Sequence, residues 1–216
     1  MSAAALLEQV TEELYAKHAA DVETAALARR EYEERRGKVH QDDELWEAWS
    51  AAFVEWLVVE RVAPGQTLPA AAASYAELGP EDPKGAAVSA LMTSQRSLFE
   101  VRSMKKSGAG VVELLDLLGG AVFHVDEQRA LHGVEVGDVA ELRLVGIGGE
   151  VRFGRTFIYH PKTARGAIVE RARAMLAKGS LRRDVIDQIA QLRVQVTRYR
   201  HMAPARVYEL GSRIMG

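Results

Sequence analysis

The spacing of apolar residues changes period twice along this chain, near Ser97 and again at Pro161. Before the first change, apolar side chains recur every three or four residues, the repeat of an amphipathic helix. Between the two changes they alternate with polar side chains in short runs, the repeat of a strand with two unlike faces. After Pro161 the helical repeat returns. Helical ends joined to a strand-rich middle without a linker predict an α+β fold. Its expected parts are an acidic helical region over 1–96, a small antiparallel β barrel or curled sheet over 97–160, and basic helices over 161–216 packing back on the rest.

Leu7, Val10, Leu14, His18, Val22, Ala25, Arg29 and Tyr32 form one narrow stripe. The stripe predicts a single helix from residue 3 to about 36, stopped by Gly37, with Arg35 and Arg36 in its last turn. So narrow a stripe suits a coiled-coil seam or a helix laid along one edge of the domain. The next stretch, "DDELWEAWSAAFVEWLVVER", holds all three tryptophans. Asp42 or Asp43 is placed to cap a helix in which Trp46, Trp49, Phe53 and Trp56 share one face with Leu57. An aromatic stripe of this kind is a core on which helices assemble. The other reading is an exposed groove that captures a partner helix. Thr67 is placed to cap an alanine-rich helix from Pro69, and a further short helix is expected over Pro80 to Gln95.

Six strands are expected in the middle: "SLFEVRSM", "GVVELLDL", "AVFHVDEQ", "DVAELRLVGI", "EVRFG" and "RTFIYH". Turn signals at Ser107-Gly108, Gly119-Gly120, Gly137-Asp138 and Gly148-Gly149 separate them. Val139, Glu141 and Arg143 alternate with Ala140, Leu142 and Leu144. Closure into a barrel, or cover by helices, would remove the exposed edges. Beyond His160-Pro161, one helix ends at Gly179. Ser180 is placed to cap the next, with Leu181, Val185, Ile189, Leu192 and Val196 facing inward, and Pro204 starts a last short one.

The stretches "FVEWLVVERVAPGQTLPAAAASY", "SLFEVRSMKKSGAGVVELLDLLGGAVFHVDE" and "GVEVGDVAELRLVGIGGEVRF" resemble a poorly characterised bacterial family. In that family an aromatic helix with a W-x-x-x-E-R core, here Trp56, Glu60 and Arg61, precedes a compact β module. The resemblance runs over roughly residues 50–155. It implies the same order of helix and β module, and it implies no activity and no catalytic residues. Some members carry a cysteine-rich zinc-binding tail, which this chain replaces with basic helices.

The chemistry that the residues allow is narrow. With no cysteine in 216 residues, disulfides, thiolate metal sites and thiol catalysis are excluded. The glycines of "VGIGGE" lie between strands, so they form a hairpin and not a phosphate-cradling loop ahead of a helix. His124, Asp126, Glu127, His132 and His160 show no metal-ligand spacing. No nucleophile elbow is present, and Asp184 and Asp187 read as a solvated helix face. No catalytic residue, metal or cofactor is assigned. No apolar run is long enough to span a membrane, and the first residues lack the features of a signal peptide, so a cytoplasmic protein is expected.

Charge is distributed unevenly. Residues 1–99 carry 9 Lys/Arg against 17 Asp/Glu, a net of −8. Residues 100–160 carry −2 and residues 161–216 carry +8. The basic end places Arg182, Arg183, Arg193, Arg198, Arg200 and Arg206 on two or three helices, with Tyr199 and His201 among them. Such a surface suits phosphate and bases, or pairs with the chain's own acidic front. The first helix is therefore expected to pack near the C-terminal helices, with complementary charge setting its register. The expected function is a non-enzymatic interaction or regulatory protein that forms a homo-oligomer through its helical ends. The alternative is a nucleic-acid-binding protein acting through the basic helices.

Overall fold

A computed structural model describes residues 2–78, 81–104, 110–127 and 134–211. Five helices come first: α1 (Ala3–His18), α2 (Val22–Arg36), α3 (Trp46–Val59), α4 (Ala70–Leu78) and α5 (Pro83–Met92). Five strands follow: β1 (Gln95–Met104), β2 (Gly110–Asp116), β3 (Val122–Glu127), β4 (Val139–Ile147) and β5 (Glu150–His160). A short 3-10 turn leads into α6 (Arg165–Ala177), α7 (Arg182–Arg198) and α8 (Pro204–Leu210). Both changes of period mark real boundaries, and the fold is α+β. No helix among the described residues is long and apolar enough to cross a membrane.

The single long helix expected at the front is two helices. Asp21 is the reason: its carboxylate accepts the Thr24 N–H at 2.7 Å and starts α2 afresh. The break sends the two halves to different neighbours. α1 lies against α3 and α5, and α2 against α7 and α3. Two expected caps also differ. Asp43 accepts the His40 N–H at 2.7 Å, closing a turn before α3, and that helix has no side-chain cap. Leu181, not Ser180, holds the N-cap position of α7, and at 55% exposure it does not face inward.

The strands form one antiparallel sheet in the order β3-β2-β1-β4-β5. It is an open sheet, not a barrel. The edges β3 and β5 approach each other, so the sheet curls around Phe99, Val101, Leu114, Val125, Leu142 and Phe153. Among the described residues no ladder joins those edges, and helices cover the other face. The fifth and sixth expected strands are one, bent by a bulge. Leu142 pairs with Phe157 and Leu144 with Phe153, so residues 154–156 stand out from the ladder. The Gly119-Gly120, Gly137-Asp138 and Gly148-Gly149 turns sit between strands as expected, while Ser107-Gly108 lies outside the described residues.

The outer face of the sheet meets α3 along β5, α5 along β4 and α7 along β1. Trp49, Phe53 and Trp56 are buried there, and Trp46 is partly buried at their margin. Tyr32 of α2 meets Trp49 edge-on at a ring separation of 5.8 Å and Phe53 at 5.3 Å. α1 buries Leu7, Val10 and Leu14 against α3 and α5.

Candidate functional site

The densest chemistry lies between sheet and helices, and none of it is apolar. Alternation along β1 and β4 turns Arg96, Glu141 and Arg143 toward the helices. Arg36 arrives from the end of α2, Glu55 and Glu60 from α3 and the residue that caps it, and Asp187 from α7. Three guanidinium groups and four carboxylates thus share one layer. Only Glu60, at 23% side-chain exposure, reaches solvent appreciably.

Arg36 is its hub. It donates to both Glu141 oxygens, at 2.9 and 2.7 Å, and to Asp187 Oδ1 at 2.7 Å. Its guanidinium also lies over the rings of Tyr32 and Trp49, at 5.2 and 5.1 Å from their centroids. Arg96 donates to Glu141, Asp187 and Glu60 at 2.9–3.1 Å. Arg143 donates to Glu55 Oε2 at 3.2 Å, to Ser94 Oγ at 3.0 Å and to Glu60. Burial works to raise the Asp187 carboxyl, but Arg96 and Arg36 outweigh it and hold it below the usual carboxylate range. Glu60 is lowered in the same way, against burial, by Arg96 and Arg143.

Glu55 has a second task. The bulge in β5 frees two backbone N–H groups, and Glu55 accepts both, from Arg155 at 2.5 Å and from Thr156 at 3.0 Å. It also accepts the Thr156 hydroxyl. Gly154 makes the approach possible, since a Cβ there would overlap Glu55 Oε1 and press on Arg143 Cβ at 3.2 Å.

The Trp56, Glu60 and Arg61 pattern now has a structural meaning. Trp56 enters the aromatic core and Glu60 the charged layer. Arg61, buried at the end of α3, clamps Glu31 of α2 at 2.7 Å.

Two smaller polar centres flank this layer. Asp116, buried at the end of β2, accepts from Ser97 Oγ at 2.6 Å, Gln95 Nε2 at 3.0 Å, the Leu118 N–H at 2.9 Å and Arg182 at 2.6 Å. Burial works to raise its carboxyl, and the Ser97 and Arg182 hydrogen bonds more than reverse that. His160, buried at the end of β5, has Nδ1 2.8 Å from the Tyr208 hydroxyl. Burial, then Arg193 and Arg36, bring its imidazole down to about 3.

The six arginines expected to share a surface are dispersed. Arg182 is tied to Asp116, and Arg193 donates to the Tyr159 carbonyl at 2.7 Å and to Glu44 at 3.0 Å. Arg198 donates to the Lys38 carbonyl at 2.6 Å, and Arg200 to the Thr197 carbonyl at 3.2 Å. Arg206 pairs with Glu209 at 3.0 Å, and Arg183 lies 3.7 Å from Asp184. Only Arg193 among them reaches a carboxylate of the acidic front.

The contact between front and back has the opposite polarity to the one expected. Arg35 and Arg36, from the acidic half, meet Asp184 and Asp187, from the basic half. Asp187 is therefore not on a solvated face; Asp184 is half exposed. The sequence held one sign of this layer, since Glu55 stands alone in the apolar run "AAFVEWLVV" and a carboxylate there needs a buried partner.

His124 lies 3.5 Å from Glu113 on an exposed strand face. Among the described residues no group of three or more His, Asp or Glu side chains is arranged to hold a metal ion, and His132 lies outside them.

A family model described as a family of unknown function (DUF7986) matches residues 6–192, well beyond the 50–155 stretch singled out above. No curated protein and no solved structure matches the chain.

Proposed function

We propose that this chain, which belongs to the family of unknown function DUF7986, is a non-enzymatic interaction or regulatory protein whose N-terminal helical part carries the partner surface. The observation that supports this reading is the distribution of its side chains. Charged groups are turned inward, where they fasten α2, α3 and α7 to the sheet. Large apolar side chains are turned outward on the helical front. Val22 is 80% exposed, and Val62 and Leu68, between α3 and α4, are each 47% exposed. Leu68 also lines a small cavity of about 30 Å³ with His18, Leu57 and Arg61.

Self-association is the form of interaction we favour, through these exposed side chains and not through a coiled-coil seam along the whole of α1 and α2. Leu7, Val10, Leu14, Ala28 and Tyr32 are buried within the chain, so of the large apolar residues of that stripe only Val22 is left exposed to a partner. Sedimentation across a concentration series is the test. The protein is expected to associate reversibly, and Val62→Ser with Leu68→Ser is expected to shift it to monomer. A wild-type protein that stays monomeric at every concentration overturns self-association. Retention on DNA that falls steeply with salt would move the assignment to the basic helices. The dispersal of their arginines among internal partners weighs against that outcome.

A further inference from the structure

A cleft of about 320 Å³ lies between α6 and α8, at the low end of volumes for small-molecule sites. α6 lines it with Ala167, Arg171, Ala174 and Met175, which fall at i, i+4, i+7 and i+8 and so share one helix face, and its C-cap residue Lys178 extends that face. α8 lines it with Tyr208 and Glu209.

Arg171 is the anomaly in this cleft. The half-buried and buried arginines of the sheet–helix layer each face a carboxylate, and Arg171 faces none among the described residues. One Nη donates to the Tyr208 carbonyl at 3.4 Å and the other to Gln188 Oε1 at 3.1 Å, both neutral acceptors. Its Nε is buried without a partner. The guanidinium is nevertheless held in place. The backbone of Gly211 runs against it at a φ of +55°, and a Cβ at that position would overlap the guanidinium.

A fixed cation with unused donors, beside an apolar wall of Ala167, Ala174 and Met175, fits a planar carboxylate with a small apolar body. Glu170 and Glu209 also border the cleft, which disfavours a doubly charged anion. Burial alone lowers the basicity of Arg171, as it does for a cation short of a counter-ion.

We propose that the cleft between α6 and α8 is a binding site for a small organic monocarboxylate, with Arg171 gripping the carboxylate and Met175 and the alanines receiving the apolar body. The site is independent of the partner surface above. Calorimetric titration with benzoate and butyrate as probes, and inorganic phosphate for comparison, tests it. Saturable binding of the carboxylates is expected, with phosphate much weaker. Arg171→Gln is expected to weaken benzoate about tenfold or more, the scale of a lost charged hydrogen bond. Arg173→Gln, an exposed neighbour, should leave it unchanged. Ala174→Leu fills the cleft while keeping the Arg171 side chain and should abolish binding in a protein of unaltered circular dichroism. Absence of saturable binding by the wild-type protein overturns the site. Equal affinity in Arg171→Gln, or phosphate binding as tightly as benzoate, overturns the carboxylate assignment.

Discussion

At the scale of single residues, Glu55 joins facts that are separate in the sequence. A carboxylate in an apolar helix, a glycine in a strand and an arginine on the facing strand are one device: Glu55 fills the space that Gly154 leaves, holds the bulge of β5 and neutralises Arg143. Glu55→Ala leaves Arg143 short of a buried partner and two N–H groups without acceptors, so a loss of about 3–5 kcal/mol in a urea melt is expected. Gly154→Ala drives a methyl group into the same carboxylate and is expected to cost about 1–3 kcal/mol. His160 gives a pH signature. Its folded pKa of about 3 lies below the ordinary 6.5, so below pH 6.5 the unfolded chain takes up a proton that the folded one refuses. Stability from this group is complete above 6.5 and is lost as pH falls toward 3, at up to about 1.4 kcal/mol per unit. Between pH 7 and 5 that is about 2 kcal/mol, and His160→Gln should remove it from the measured difference. Asp187 and Glu60 act in a lower window. Their folded pKa values lie below the ordinary 3.8 and 4.5, so their contribution is lost only as pH falls through those values and below.

At the scale of elements, the contact of α2 with α7 shows why burial and charge have to be considered together. Removing charges from water costs more than exposed ion pairs return, so a buried layer is sustained by mutual hydrogen bonding and not by its count of pairs. Arg36→Met or Asp187→Leu alone strands its partners and is expected to cost about 3–5 kcal/mol. The double substitution should cost less than the sum of the two, with a coupling of about 2 kcal/mol in a denaturant cycle. Additive losses would mean that the two side chains do not communicate through the layer. The corner between α1 and α2 is the counter-example, a local matter that one side chain decides. Asp21 starts a new helix by its own hydrogen bond to Thr24, which no count of apolar spacing registers.

At the scale of the whole molecule, the opposed charges of the two ends are not matched end to end. The acidic front is partly neutralised within itself, by Arg61 on Glu31 and Lys84 on Glu13, and by Arg155 of β5 on Glu8 and Glu12. Because Arg36–Asp187, the central pair that fastens the ends, is buried, raising NaCl from 0.05 to 0.5 M should change the melting temperature little. The sheet depends on its helices: its outer face carries Arg96, Glu141 and Arg143, whose partners lie on α2, α3 and α7. A fragment of residues 97–160 is therefore expected to stay unfolded by circular dichroism and amide dispersion. Deleting residues 1–36 removes Tyr32 and Arg36 together and should prevent cooperative melting of the remainder.

Local pattern by itself determined the succession of a helical, a strand-rich and a second helical region, the sheet boundaries near residues 97 and 160, and the turns at Gly119-Gly120 and Gly148-Gly149. Each is a property of neighbouring residues, set by periodicity and by the φ that a turn demands. The aromatic face of α3 was legible for the same reason. The charged layer was not. A run such as "VAELRLVGI" states that Glu141 and Arg143 share a face, but whether water or helices cover that face depends on residues 36, 55 and 187, far away in the chain. The same holds for the openness of the sheet, since whether two edge strands pair, and which face the helices shield, are relations between residues far apart in the chain. Charge totals misled because net charge has no direction, whereas an ion pair needs two side chains at one place. Tertiary structure set Arg36 against Asp187, joining the positive end of α2, in the acidic half, to the negative start of α7, in the basic half.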